Sequence, residues 1–464
     1  MRPATTRRGL LASLAGLSLT GRALGAAVDG GRTAATRTQS AAAFEPARHG
    51  FGFRNWSTRG ETYADHDHAA VGEERVRRVL GRRWRTPAKR SLGVDVTSLA
   101  GSVLDAIATQ VYVSVNQQSA TNGHCYGMVF AAQQFYENPD SMPLDRESAS
   151  EFGHPDAPVE DADVAPVARE VDQYHLTQFL DLRAWLGRRA MLTPEWIDYE
   201  RQLDRVTSVV DEFGTAGLTV FDGGTRASHQ VLVYDYRREP DATRLLVYDP
   251  NYPARWYESV DAPPTITVDT GGSRPTVRQY GDAYDEFVFN RRDRAIAAGH
   301  RDAASLDPPT GEDAREELFD LALFLVDSDE VSLTVVGPDD RPLGRDDGAY
   351  ADPTRSEYSR MRYRYGFSPG RYDVSIVGES DAEYELTAVV ADADGERLDA
   401  RRTSGIRAGE VHRYAAEVPA SGAGSLERLD RGSSWPLTVG AVGLGAGTAA
   451  AAAGTYVRAR RRTE

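Results

Sequence analysis

The spacing of apolar positions changes character several times along the chain, and each change marks an expected element. Leu99, Val103 and Ile107 recur every four positions, which predicts a helix; Val111, Val113 and Val115 then alternate, which predicts a strand running into Asn116-Gln117-Gln118. Over residues 126–137, Met128, Val129, Ala132, Phe135 and Tyr136 fall on one side at helical spacing, and Asn138-Pro139 stops the run. A proline- and aspartate-rich stretch from Pro139 to Pro166 reads as an exposed loop. Val167, Val171, Tyr174, Phe179, Leu182 and Leu186 form one helical stripe ended by Gly187. Trp196, Tyr199, Leu203, Val206, Val210 and Phe213 form a second, with Thr193 as N-cap, Pro194 at the first helical position and Gly214 just past the end.

The period then shortens to two. Gly217 to Phe221, Ser228 to Tyr236 and Arg244 to Tyr248 read as strands, the last two joined by a turn. Helices followed by antiparallel strands predict an α+β domain, placed at residues 44–295 with an N-terminal extension. Within that extension, residues 44–95 have no clear period, and read either as a pro-region or as a segment packed along the domain. Residues 296–316 have the composition of a linker. Beyond them, Leu318–Val326, Val331–Val336, Met361–Tyr365, Arg371–Val377, Tyr384–Val390 and Val411–Val418 read as short strands separated by turn signals, so residues 317–419 are expected to form an all-β sandwich. Residues 420–434 are a second linker.

Composition narrows the partners. A chain of 464 residues is too long for one ordinary core, so two domains are expected. Its 54 basic and 69 acidic residues give a net charge of −15, which argues against nucleic acid as a partner. Lys89 is the only lysine, and an acidic, lysine-poor surface suits solubility at high salt, hence a halophilic source. With one cysteine, no intramolecular disulfide forms. Asp65-His66-Asp67-His68 has metal-ligating residue types, but no third ligand cluster accompanies it and a solvated loop is the simpler reading. Asp392-Ala393-Asp394-Gly395 likewise falls short of a calcium loop. Neither a metal nor a cofactor is expected.

The two ends point to a location. Residues 1–27 pair Arg7 with Arg8 ahead of a small-residue and leucine-rich run, and resemble a twin-arginine export signal; residues 28–43 read as a spacer. Residues 435–457 carry no charge, are long enough to span a bilayer, and are followed by the basic tail 458–464. Together they imply a single-pass cell-membrane protein with its bulk outside the cell.

The chemistry-bearing residue is Cys125, the sole cysteine, placed where the helical run begins; there unpaired N–H groups and the helix dipole favour a thiolate. A thiol nucleophile needs a base and a group that orients the base. His229 opens the strand SHQVLVYDY and Asp249 closes the strand RLLVY, so a hairpin about the intervening turn makes them neighbours. This order of cysteine at a helix start, histidine at a strand head and carboxylate at the next strand end resembles the papain-like cysteine peptidase superfamily. His229 with Asp249-Pro250 is similar to the bacteriocin-leader-processing peptidases. The resemblance covers about residues 96–290 and implies a papain-like fold, with Cys125 as nucleophile, His229 as general base and then acid, Asp249 as orienting carboxylate and a protein or peptide as substrate. Asn251 stands as a rival to Asp249. For the oxyanion side chain, Gln118 is preferred over Gln117 and Asn122, although none has the spacing usual in the superfamily. His124 and Tyr126 also depart from papain, so its substrate groove does not carry over. The C-terminal sandwich resembles pre-peptidase C-terminal domains in Pro369-Gly370-Arg371-Tyr372-Asp373-Val374. A transglutaminase-like acyl transferase and a catalytically inactive surface binding protein are the alternatives.

Overall fold

The computed structural model describes residues 43–56, 73–96, 101–121, 123–155, 166–224, 227–280, 284–290, 306–328, 330–344, 360–392 and 395–429, with backbone alone at 116–121, 166 and 279. The amphipathic runs of its first half form α1 (Pro46–His49), α2 (Glu73–Arg83), α3 (Arg85–Ser91), α4 (Gly101–Thr121), α5 (Cys125–Glu137), α6 (Pro166–Leu180), α7 (Leu182–Ala190) and α8 (Tyr199–Phe213). They pack on strands β1 (Ala216–Phe221), β2 (Ser228–Arg238), β3 (Ala242–Tyr248), β4 (Thr265–Asp269), β5 (Thr276–Gln279) and β6 (Glu286–Asn290). These six make one antiparallel sheet in the order β5-β4-β3-β2-β1-β6. The short helix α9 (Ala254–Tyr257) follows β3.

Three expectations about the helices are corrected. Val111, Val113 and Val115 lie in α4, not in a strand. Alternation over three residues is ambiguous when a helix is covered on several sides. Here Val111, Val113 and Val115 are all buried, and even Gln110 and Ser114 are enclosed and hydrogen-bonded to each other at 2.8 Å. The stripe from Val167 to Leu186 is two helices, because the Asp181 carboxylate accepts from the N–H groups of Arg183 and Ala184 and starts a new helix. Similarly α8 is capped by Asp198, whose Oδ1 accepts from Arg201 N at 3.1 Å, while Thr193 and Pro194 introduce only a short 3-10 turn. Gly214 does end α8, at φ 82°. Within the stretch expected as an exposed loop, Phe152 is buried.

The second half contributes α10 (Glu312–Phe319), then β7 (Leu321–Val326), β8 (Val331–Val336), β9 (Arg360–Tyr365), β10 (Gly370–Gly378), β11 (Ala382–Asp392), β12 (Gly395–Ile406), β13 (Val411–Val418) and β14 (Ser425–Arg428). Residues 318–319 thus belong to a helix, and the strand expected from Leu318 begins at Leu321. Two four-stranded antiparallel sheets, β14-β13-β10-β8 and β12-β11-β7-β9, face each other in a sandwich-like arrangement. Phe324, Leu386 and Val390 of one sheet share a core with Leu333, Tyr372 and Ile376 of the other. Each large apolar side chain fully buried there contributes about 1.5–3 kcal/mol.

The β12-β11-β7-β9 sheet is buried on its other face as well. Leu321, Leu323, Met361 and Tyr363 join the core built from α4, α7, α8 and the six-stranded sheet. Tyr365 donates its hydroxyl to Gln110 Oε1 of α4 at 2.8 Å, and Trp185 stacks near Phe319. Residues 306–316, expected as linker, take part: Leu306 bridges Ile197, Gly311 donates its N–H to Leu92 O at 2.8 Å, and Ala314 of α10 is buried. The protein is therefore mixed α+β, with antiparallel sheets and a sandwich-like region.

Residues 44–56 pack inside this architecture. Phe44, Phe51, Phe53 and Trp56 share a buried cluster with Met128, Val129 and Phe135 of α5 and with Tyr248 of β3. Among the described residues no helix is long and apolar enough to cross a membrane. The leader at 1–27, the anchor at 435–457 and the Asp65–His68 cluster lie outside the described residues.

Candidate functional site

The site forms where α5 begins against the end of the six-stranded sheet. Gly123 turns the chain into the helix at φ 79°, a conformation glycine adopts freely, and a Cβ there would lie 2.9 Å from the Asn55 side chain. His124 is the N-cap residue, its carbonyl accepting from Met128 N at 2.9 Å. Its ring turns inward, fully buried, and stacks on Trp56 at 4.3 Å between centroids. Nδ1 lies 2.9 Å from Trp56 O and Nε2 lies 3.2 Å from Asp172 Oδ1, so both ring nitrogens face oxygen acceptors.

Cys125 is the first residue of α5 and is partly exposed. Close packing of α5 on α6 sets its place. At Gly127 a Cβ would come within 2.2 Å of Val171 O, so only glycine allows that approach. The two strands pair in the expected hairpin, Leu232 opposite Tyr248 and Arg238 opposite Thr243, with a bulge between Val233 and Asp235. His229, second in β2, and Asp249, immediately after β3, therefore share one end of the sheet.

Cys125, His229 and Asp249 are brought together. His229 Nε2 is 2.8 Å from Asp249 Oδ1, and the Cys125 side chain is hydrogen-bonded to His229. Burial alone pushes the Cys125 thiol up, but the hydrogen bond and charge of His229, aided by the backbone N–H groups of Gln230 and Tyr126, bring it below its ordinary range. Burial pushes His229 down, yet the charge and hydrogen bond of Asp249, together with Cys125, raise it to about 10. Asp249 is also raised by burial, and His229, Tyr280 and Asn251 more than offset this, holding the carboxyl below its usual range. These opposed shifts favour the thiolate form of Cys125 and the protonated form of His229, backed by the Asp249 carboxylate.

Asp249 lies nearer His229 than its rival Asn251 does. Asn251 Nδ2 is 3.3 Å from His229 Nε2, farther than Asp249 Oδ1, and Asn251 instead donates its backbone N–H to Asp249 Oδ1 at 2.8 Å. Gln118 lies in the last turn of α4, on backbone only, and Asn122 lies outside the described residues, so the expected oxyanion side chain has no described position.

Two contributors were not among the residues expected from the sequence. Tyr280, just past β5, donates its hydroxyl to Asp249 Oδ2 at 2.6 Å. Asn55 accepts from His124 N at 2.7 Å and donates to Asn251 Oδ1 at 3.1 Å, tying the turn before Cys125 to the loop after Asp249. Tyr257 braces the same loop, its hydroxyl accepting from Asp249 N and donating to Asp249 O. For Asn55 the one available hint was its setting in the aromatic run Phe51-Gly-Phe53-Arg-Asn55-Trp56, which has the composition of a packed segment.

Among the described residues, no group of three or more His, Cys, Asp or Glu side chains is placed to hold a metal ion. The chemistry this arrangement can offer is nucleophilic: a cysteine at a helix N-terminus whose ionised form is favoured by a neighbouring histidine. No family model, no curated protein and no solved structure matches the chain.

Proposed function

We propose that the protein is a thiol hydrolase of papain-like type, acting on a peptide or other amide through an acyl-enzyme on Cys125. The observation that carries this reading is the chain Cys125–His229–Asp249, with its thiol lowered and its imidazole raised. In the first half-reaction the Cys125 sulfur adds to the substrate carbonyl carbon. Its negative charge passes to the carbonyl oxygen, facing the N-terminus of α5. As the intermediate collapses the C–N bond breaks, and the His229 proton goes to the departing amine, leaving a thioester. In the second half His229 takes a proton from water, the resulting oxygen nucleophile attacks the thioester, and the C–S bond breaks to release the acid and restore the thiolate–imidazolium pair.

Asp249 keeps Nε2 of His229 occupied, so that the other ring nitrogen serves the sulfur. Gln118 remains the proposed side-chain donor to the oxyanion. The export signal at 1–27 and the anchor at 435–457 place this activity at the cell surface in the same proposal, with the sandwich as an extracellular companion similar to pre-peptidase C-terminal domains. Replacing Cys125 by alanine is expected to abolish hydrolysis of a peptide library, followed by mass spectrometry, while circular dichroism stays that of the parent. Hydrolysis at the parental rate by Cys125→Ala contradicts the proposal.

A further inference from the structure

We propose that Tyr280 is a positioning residue for this chemistry: its hydroxyl pins Asp249 Oδ2 so that Oδ1 stays on His229 Nε2. The inference rests on the thiol-hydrolase reading of the same site. Asp249 is buried, with two donors on Oδ1, His229 Nε2 and Asn251 N, each at 2.8 Å. A carboxylate held from one oxygen can still swing about its Cβ–Cγ bond. The Tyr280 hydroxyl, 2.6 Å from Oδ2, closes that freedom from the opposite side and from a different element of the sheet.

The titratable groups around Asp249 are His229 from β2, Tyr248 from β3, Tyr257 from α9, Tyr280 after β5 and Tyr284 before β6. Tyr280 is in turn faced by Asp249, Tyr257 and Tyr252. Burial and the neighbouring carboxylate keep the Tyr280 phenol protonated well beyond its ordinary range, so it remains a donor wherever the thiolate exists. Its ring stacks with Tyr284 at 6.2 Å, and Tyr284 lies within the electrostatic reach of Cys125. Tyr280 is thus placed to act through Asp249 and His229 without touching the sulfur.

The effect has a defined sign. Without the hydroxyl, Asp249 is free to turn Oδ1 away from Nε2, His229 loses part of its support as imidazolium, and the thiolate forms at higher pH. The test is the pH dependence of Cys125 alkylation by iodoacetamide, read by intact mass on the full chain, which needs no substrate. For Tyr280→Phe the midpoint is expected to rise by about half a unit to one unit, the size associated with loss of one charge-assisted hydrogen bond. In an Asp249→Ala background, Tyr280→Phe should produce no further shift. A Tyr280→Phe midpoint equal to the parent's overturns the positioning role while leaving the thiol-hydrolase reading intact. An equal Tyr280→Phe shift in the Asp249→Ala background also overturns it, since the hydroxyl would then act by another route. A parental thiol titrating like a free cysteine overturns the function and this inference together.

Discussion

Two histidines in different regions of the molecule are buried against a carboxylate and a weak acid, and the weak acids differ. In the α+β region His229 lies between Asp249, at 2.8 Å, and Cys125. In the sandwich His412 lies between Glu410, at 3.2 Å, and the Tyr384 hydroxyl, at 2.7 Å, which also meets Tyr414 at 2.7 Å. The third partner decides the difference. Burial and Tyr414 push the Tyr384 phenol far above its ordinary value, so it stays neutral; it is also enclosed between two sheets. His229 brings the Cys125 thiol down, and Cys125 is a half-buried residue at a helix start. A histidine–carboxylate pair is thus not by itself a site. It becomes reactive chemistry when the acid it serves ionises readily and can meet a substrate.

Cutting each pair separates the two cases. Asp249→Ala should slow iodoacetamide alkylation of Cys125 at neutral pH by about a hundredfold and depress hydrolysis further, because the imidazolium loses both its charge partner and its orienter. An unchanged alkylation rate would sever the site from Asp249. A middle-sized effect is expected from packing alone: Gly127→Ala drives a Cβ into the Val171 carbonyl and should destabilise the fold by about 1–3 kcal/mol, measured by urea unfolding. Stability equal to the parent's would show that α5 can move off α6 at no cost. The smallest effect on chemistry is expected in the sandwich. Glu410→Ala should leave alkylation of Cys125 unchanged and cost stability of about 1 kcal/mol, the worth of one partly exposed hydrogen-bonded pair. A change in the alkylation profile would mean that the two regions are coupled through their shared core.

The placement of Cys125, His229 and Asp249 was legible in the sequence because each sits at a boundary that periodicity marks: the start of a helix for Cys125, the head of a strand for His229, the end of its hairpin partner for Asp249. Val331–Val336 and Val411–Val418 were equally plain, having one buried and one open face for most of their length. β12 was not, because it is a mostly polar edge strand, GERLDARRTSGI, whose pairing with β11 comes from backbone hydrogen bonds. The α4 segment misled for the opposite reason: it is enclosed by α2, α6 and the outer face of the sandwich, so its buried positions no longer trace one stripe. Asn55 and Tyr280 were invisible because their roles come from contacts across 196 and 31 positions, and spacing within a segment carries no trace of those.

The central claim is that Cys125 rests as a thiolate paired with a protonated His229, and the pH profile of alkylation tests it most directly. The lowered thiol and a histidine raised to about 10 fix the sign: alkylation should rise at a pH below the ordinary thiol range. The His229 proton should be lost only as pH climbs through about 10. In His229→Ala the low midpoint should vanish and a single one appear at or above the free-thiol value of about 8.5, because burial then acts on the thiol without the imidazolium to offset it. A parental protein and a His229→Ala variant that both titrate at about 8.5 would contradict the account.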